Sequence, residues 1–329
     1  MSSVAAVIPS WNTAAHLGRC LDALAAQVAV AVEPLVIDNA STDGSLELLE
    51  RRGVAHVALP ANVGFARAVN LGVASTDAPF VLILNADCFP SRECVRLLLD
   101  DLSAGRRLGG VQPRILQAED GEQGELIYSA GQCLTRYGRA FERGWGEPDG
   151  PRYARRVEVF GVSGAACLLR RELFTQLGGY DEAYFAFFED VDLNARARLA
   201  GWNFAYVPDA TALHIGHAAW ARQARAQRFN VELTVRNRLA TAVKVLPPSA
   251  IAGSVALTVR SVAAGPLRGT GSAALLGALG ALRWLPRMLR ERRRLRAGST
   301  DALDGWLSAA PGRGPDPARA RRASDSTPA

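Results

Sequence analysis

The chain has 329 residues, about two domains at roughly 150 residues each, and its 49% hydrophobic and 21% charged content excludes disorder throughout. Five cysteines, at positions 20, 88, 94, 133 and 167, are odd in number and lack paired CxxC spacing, which excludes a disulfide framework or a zinc ribbon and makes a reducing cytoplasm the expected compartment. The net charge of +6 is not spread evenly: residues 1–282 hold 27 basic and 27 acidic side chains and residues 283–329 hold 11 and 5, so the body is neutral and does not read as a nucleic-acid binder.

Residues 1–5 carry no basic segment and the apolar run that follows stops at Pro9, which predicts a first β-strand rather than a signal peptide or anchor. Short apolar runs then alternate with helix-period segments: Val4–Ile8 and His16–Gln27, Pro34–Ile37 and Ser45–Arg52, His56–Leu59 and Ala66–Ala74, Phe80–Leu84 and Cys94–Leu102. This alternation predicts an α/β fold with a mostly parallel sheet flanked by helices on both faces. Residues 117–156 are rich in Gly, Glu and Arg and weakly periodic, which predicts a long excursion with a hairpin and a mobile loop near Gly144–Pro151. Strands are expected at Val157–Phe160 and Ala165–Leu169, then a helix over Arg171–Leu177 stopped by Gly178 and Gly179, because glycine best tolerates a left-handed stop. Asp190–Ala200, ended by Gly201, predicts another helix. After about Trp220 the pattern is helical, with a break at Pro247 and Pro248. The apolar stretches 250–264 and 273–289 are shorter than the roughly 20 residues of a spanning helix and have Arg260, Arg283 and Arg287 in or beside them, so spanning is not expected. The organisation expected is an α/β domain over 1–240, a basic helical extension over 241–297, and a disordered tail over 298–329 in which Leu303, Trp306 and Leu307 are placed for a short contact.

Sheets of this kind bind ligands beyond the carboxyl ends of their strands, and the residues there are polar: Ser10 and Asn12, Asp38 and Asn39, Asn62, then Asn85 and Asp87. The GTGSAA run at 269–274 loosely matches a dinucleotide fingerprint but follows no clear strand, and the first turn, SWNT at 10–13, has no glycine for a pyrophosphate to approach. A Rossmann dehydrogenase is therefore disfavoured. In DNASTDGS at 38–45 the leading carboxylate could accept a hydrogen bond from a nucleobase N–H, with helix capping alone as the alternative. Asp87 could reach a Mg²⁺ or Mn²⁺ ion on a diphosphate, since hard cations take oxygen ligands and keep waters; a plain polar corner is the alternative. FFEDVDL at 187–193 places three acids within four residues, which is costly to bury unless a metal, a helix N-terminus or a protonation role compensates. One of the three is expected to be a general base, with capping of the next helix as the alternative. His214, at the end of a strand-like segment and followed by His217, could complete a divalent metal site or bind a phosphate.

Together these motifs resemble the family-2 glycosyltransferases of the GT-A fold over roughly residues 4–240, in particular the bacterial rhamnosyltransferase-type members that elongate cell-envelope or capsular glycans. The likeness rests on IPSWN at 8–12, the 38–45 turn, NVGF at 62–65 with Asn70, Leu71 and Gly72, LNAD at 84–87, Gly164 with Arg170 and Arg171, FEDVDL at 188–193, and His214. It implies that Asp38 contacts the base of a nucleotide-sugar donor, dTDP-rhamnose or a UDP-sugar. Pro9, Asn12 and Asn39 would line that pocket, Asp43 would support its turn, and Asn62, Gly64, Asn70 and Asn85 would shape the rest of the donor site. Asp87, with His214 as a further ligand, would hold Mg²⁺ or Mn²⁺. Asp190, beside Glu189, would deprotonate the hydroxyl of a glycan or polyprenyl-linked acceptor and give an inverted product. Asn85 stands where the family's frequent Asp-x-Asp motif has its first acid, so the site carries one charge less and is expected to hold metal only together with nucleotide. A lipid-linked acceptor would place the Arg283–Arg296 segment, where arginines lie beside Leu285, Leu289 and Leu295, in peripheral contact with anionic lipid at the inner face of the plasma membrane; a solvated charged helix end is the alternative. A non-catalytic nucleotide-sugar-binding scaffold of the same fold would need Asp38 but neither Asp87 nor Asp190, and both are present.

Overall fold

The computed structural model describes residues 4–119, 122–216, 224–264, 270–296 and 303–308. Strand β1 (Val4–Ser10) is apolar along nearly its whole length and buried except at Pro9, as a strand covered on both faces must be. Helix α1 (Ala14–Ala25) buries Leu17, Cys20, Leu21 and Leu24, a stripe at helical spacing. The series continues through β2 (Val32–Asp38), α2 (Ser45–Arg52), β3 (His56–Ala58), α3 (Phe65–Ala74) and β4 (Phe80–Leu84), and these strands pair in parallel in the order β3-β2-β1-β4.

Beyond β4 the sheet becomes mixed. Strand β5 (Cys88–Pro90) and α4 (Cys94–Ala104) lead to β6 (Leu108–Glu119), β7 (Glu122–Ser129), β8 (Gln132–Thr135), β9 (Ala140–Glu142), β10 (Val157–Val159) and β11 (Ala166–Arg170). No α-helix lies between β6 and β11 to make crossovers, so the short connections there give antiparallel pairs. Then come α5 (Arg171–Gln176), α6 (Glu189–Leu199) and β12 (Asn203–His214). β11 lies antiparallel between β4 and β6, and β12 runs parallel to β6. These two reversals align β12 with β4, so the carboxyl ends of β1, β2, β4 and β12 and the amino end of β11 share one edge of the sheet.

Each face of the sheet carries its own core. Val4, Ala6 and Ile8 meet α1 and α4 on one side, while Val7 and Ile37 meet Ala68 and Val69 of α3, Leu173 of α5 and Leu193 of α6 on the other. In the excursion, the segment expected to be a mobile loop is laced to β7: Ile127 N donates to Glu147 O at 2.8 Å, Gly146 N to Ile127 O at 2.9 Å and Asp149 N to Glu125 O at 2.8 Å.

Helix α7 (Ala224–Val245) runs unbroken across residues 240 and 241, so the two parts expected on either side of that point share a helix. It is followed by α8 (Pro248–Ala264) and α9 (Gly271–Arg296). The ammonium of Lys244 ties this bundle to the body, lying 2.9 Å from Asp192, 3.1 Å from Asp181 and 3.0 Å from Glu291 of α9. Within the segment read as a tail, residues 303–308 pack on the body: β13 (Leu307–Ser308) pairs with β8, and the Arg198 guanidinium lies 3.7 Å over the Trp306 ring. Gly269, His217 and the rest of the tail lie outside the described residues. Among the described residues, no helix is long and apolar enough to cross a membrane.

Gly72 of α3 sits against β1 and β2, where an added Cβ would lie 2.3 Å from Val7 Cγ1 and 3.2 Å from Ile37 Cγ1. Alanine gains roughly 1 kcal/mol of helix propensity there, but overpacking a close-packed helix–sheet contact costs about 1–3 kcal/mol. Gly72→Ala is therefore expected to lower the denaturation midpoint without changing the slope of the transition; a raised midpoint would contradict this packing.

Candidate active site

At the first part of this edge the turns after β1 and β2 brace each other. Asn12, in a left-handed conformation with φ of 54°, accepts Thr42 N on its Oδ1 at 2.8 Å, and its own N–H donates to Ser41 Oγ at 2.9 Å. Asp43 accepts Ala14 N at the start of α1 (2.9 Å) and both the N–H and the hydroxyl of Ser45 at the start of α2 (3.1 and 2.6 Å). Burial works against its charge, but these bonds, led by the Ser45 hydroxyl, hold its carboxyl below the usual range. Asn39 Oδ1 accepts Val63 N at 3.2 Å and Asn62 Oδ1 accepts Gly64 N at 2.9 Å, which join the next turn to the same frame. Pro9 pairs with Ile37 one register position before Asp38.

Asp38 is 1% exposed. Its Oδ2 accepts Ser41 N at 3.0 Å, and its Oδ1 is buried with no partner. An unpaired buried carboxylate oxygen is costly, and here it sits at a strand end where a ligand N–H would satisfy it. Asn70 lies farther along α3 and faces another way: its amide donates to Tyr180 O and accepts from Tyr180 N, both at 2.9 Å, which makes it a strut between α3 and the turn that leads to α6.

Two strands along, Asn85, Asp87 and His214 meet. The short strand β5 turns back and pairs antiparallel with the end of β12, setting Cys88 opposite His214. His214 Nε2 lies 3.0 Å from Asp87 Oδ1 and 3.3 Å from Asn85 Nδ2. A protonated Nε2 donates to Asp87 and a bare one accepts from Asn85, so a single nitrogen serves one contact at a time. Burial works against the charge of Asp87, but the hydrogen bond and charge of His214 outweigh it and hold the carboxyl low. His214 Nδ1 is buried without a partner. Two oxygen-bearing side chains and an imidazole are a donor set that suits Mg²⁺ or Mn²⁺, although among the described residues no three His, Cys, Asp or Glu side chains group into a metal site.

The three acids of the 187–193 motif meet three different fates. Asp192 is fully buried and bonded to Arg196 (2.7 Å) and Lys244; burial is outweighed by those cations and its carboxyl is held low. Glu189 is 6% exposed with Oε2 unpartnered, and burial, then the Asp190 and Asp192 charges, push its carboxyl well above the usual range. Asp190 is only partly buried. Its Oδ2 accepts Gln132 Nε2 at 2.6 Å and Gly164 N at 3.0 Å, and its Oδ1 accepts Val191 N at 2.7 Å. Burial raises its proton affinity, opposed by those donors. Ahead of it, Phe185, Phe187 and Phe188 all have φ of 65–69°. This sparsely populated backbone is clamped by Asn237 of α7, whose Nδ2 donates to Tyr184 O, Ala186 O and Phe187 O at 3.0, 2.9 and 2.7 Å. Gly64 meets the same turn: a Cβ there would stand 2.5 Å from Phe185 O.

Gln132 and Asn237 carry no sequence signal and reach the site from β8 and α7, while Gly164, one of the motifs read in the sequence, reaches it from the entry to β11. Tyr128 of β7 stacks edge-on between His214 (4.3 Å) and the half-exposed Trp145 (4.8 Å). Burial and then the charges of Glu142, Asp87 and Asp190 push the Tyr128 phenol above its usual range, so one side chain adjoins both the Asp87 and the Asp190 parts of the edge.

An N-acetylglucosaminyl-diphospho-decaprenol L-rhamnosyltransferase of Mycobacterium tuberculosis is 34% identical over 232 residues, 63% of this chain and 74% of the relative. Among solved structures, GalNAc-T7 with UDP, GalNAc and Mn²⁺ superposes with a TM-score of 0.62 at 15% identity, over 93% of this chain, which spans 58% of that protein's length. The Pyrobaculum calidifontis mannosyltransferase PcManGT with GDP-Man and Mn²⁺ superposes with a TM-score of 0.52 at 21% identity, over 90% of this chain and 85% of that one. These two likenesses establish the GT-A fold. The model for glycosyl transferase family 2 matches residues 5–178, more than half of the chain, and this protein belongs to that family.

Proposed function

We propose that this chain is an inverting rhamnosyltransferase that moves the sugar from a nucleotide-diphosphate donor to a lipid-linked glycan in cell-envelope polysaccharide synthesis. One observation carries the reading: a partly exposed Asp190 carboxylate held by three N–H donors shares one sheet edge with the unpaired oxygen of Asp38 and with the Asn85, Asp87 and His214 cluster. The relative from Mycobacterium tuberculosis, named for rhamnosyl transfer to N-acetylglucosaminyl-diphospho-decaprenol, supports rhamnose and a polyprenyl-linked acceptor.

Asp38 ends β2 and Asp87 lies just beyond β4, strands two spacings or about 10 Å apart, the reach of a nucleoside from its base to its phosphates. Asp38 Oδ1 accepts the pyrimidine N–H, within a frame set by Asn12, Asn39, Asp43 and Asn62. Asn85, Asp87 and His214 would hold a divalent cation, and bound there Mg²⁺ or Mn²⁺ supplies charge neutralisation for the departing diphosphate. Asp190 takes the proton of the acceptor hydroxyl as that oxygen bonds to the anomeric carbon on the face opposite the breaking bond to the diphosphate, so configuration inverts.

A lipid-linked acceptor calls for membrane proximity, and the helical bundle offers it. Helices α8 and α9 expose Val255, Val259, Leu275, Leu276, Leu279 and Leu282, with Arg260, Arg283, Arg290, Arg293 and Arg294 also exposed. Two arginines expected to face lipid are engaged within the protein: Arg287 pairs with Asp181 and Glu291, and Arg292 donates to Val243 O and Leu246 O. The contact is thus centred on the apolar first half of α9 and sits at the cytoplasmic face of an anionic membrane.

Asp190→Asn is expected to cut turnover by about 10²–10⁴-fold while calorimetry finds donor affinity unchanged; a parallel loss of donor affinity would make Asp190 a binding residue instead. Asp38→Ala should weaken nucleoside diphosphate binding by about tenfold or more, the value of a hydrogen bond to a charged group, and unchanged affinity would remove Asp38 from the donor site. Replacing Leu276, Leu279 and Leu282 by serine should reduce co-sedimentation with anionic vesicles and leave donor binding intact. Equal sedimentation would place the membrane contact elsewhere.

A further inference from the structure

Glu142, at the end of β9, is a carboxyl group that the transfer reaction as described leaves unused. Its Oε2 accepts from Ser129 Oγ at 2.5 Å, and its Oε1 accepts from Ser163 Oγ and from Gln132 Nε2, each at 3.3 Å. The same Gln132 nitrogen donates to Asp190 Oδ2, so one amide serves two acids. Its orientation is fixed, because Gln132 Oε1 accepts Asn194 Nδ2 at 2.8 Å and a flipped amide would set an oxygen against both carboxyl groups. Ser129 Oγ accepts Gln112 Nε2 (2.6 Å) and Gly131 N (3.2 Å), so its single proton is directed at Glu142.

We propose that Glu142 is a positioning residue for the base: through the shared Gln132 amide it fixes the Asp190 carboxylate, and its own charge makes Asp190 the stronger proton acceptor. This rests on Asp190 being the base. Two acids joined through one amide titrate as a coupled pair. Asp190 has three N–H donors to hold its charge; burial and then the Asp190 charge push Glu142 up to about 7, against the bonds from Ser129, Gln132 and Ser163. The other titratable groups facing the pair are Tyr128 from β7, Cys133 from β8, Cys167 from β11 and Tyr180 from the turn before α6. Burial lifts all four above their ordinary ranges and keeps them neutral. Burial and the Asp190 charge push Glu189 well above the carboxylate range, the bond from His214 holds Asp87 beyond Tyr128 low against its burial, and Arg143, the adjoining cation, lies over the Tyr153 and Tyr206 rings. Glu142 is therefore the group that titrates beside Asp190 near neutrality. As it ionises, repulsion raises the proton affinity of Asp190, and a stronger base removes the acceptor proton faster.

The test is the pH dependence of kcat/KM for the acceptor in full-length wild type, Glu142→Gln and Glu142→Asp, with donor binding measured on each by calorimetry. Wild type is expected to rise in two steps, the upper one near neutral pH. Glu142→Gln should rise in the lower step alone to a plateau several-fold down, while binding donor normally, and Glu142→Asp should recover two steps. A Glu142→Gln profile that superimposes on wild type would overturn the proposal, and so would loss of donor binding with turnover in both variants, which marks a purely structural residue. A folded wild type with no transfer at any pH would instead overturn the transferase reading beneath it.

Discussion

Three register pairs between β5 and β12, Pro90 with Ala212, Phe89 with Leu213 and Cys88 with His214, hold the two halves of the site together. Asp87 and His214 are 127 positions apart in the chain, and this short antiparallel ladder brings Oδ1 and Nε2 to 3.0 Å. Side chains alternate faces along a strand, so a slip of one residue would turn His214 to the opposite face and separate it from Asp87. The ladder in turn depends on the reversal at β11, which lets β6 and β12 run in the direction of β4. Without it the end of β12 would lie at the far side of the sheet from the ends of β1, β2 and β4.

The same edge shows how environment divides chemically identical groups. Glu189, Asp190 and Asp192 stand within four residues, yet one is buried with an unpartnered oxygen and its carboxyl pushed up, one is held by N–H donors at a partly exposed position, and one is paired with Lys244 and Arg196. The cations that remove Asp192 from the reaction also fasten the helical bundle to the body, and Asn237 of that bundle clamps the turn that presents Asp190. The bundle is therefore part of the scaffold of the candidate site as well as the surface proposed to meet lipid.

Much of the fold is legible in the sequence because its signals are local. Apolar runs of strand length, helical stripes and glycine stops mark the elements from β1 to β4 closely, and the polar residues that follow each strand fall where a parallel sheet places them. The mixed half is not legible in this way, since the direction of β11 and the return of β5 depend on pairing between distant segments. For the same reason Gln132, Tyr128, Glu142 and Asn237 carry no local mark, and nothing in FFEDVDL tells that Lys244, more than fifty residues on, claims Asp192. Asn70, expected to shape the nucleotide site, turns out to spend its amide on the Tyr180 backbone. Arg287 and Arg292 look lipid-facing in a run of arginines, but Asp181 and the carbonyl groups at the end of α7 draw them inward.

Thermal stabilisation of the full-length protein by a panel of nucleoside diphosphates and nucleotide-sugars, with and without Mg²⁺ or Mn²⁺, measures directly whether this edge seats a nucleoside diphosphate donor, because a ligand of the native state raises stability by mass action. A shift with thymidine or uridine diphosphates that grows when the metal is present is expected, with little shift from metal alone. A folded protein whose melting temperature moves with no nucleotide, with or without metal, would contradict it.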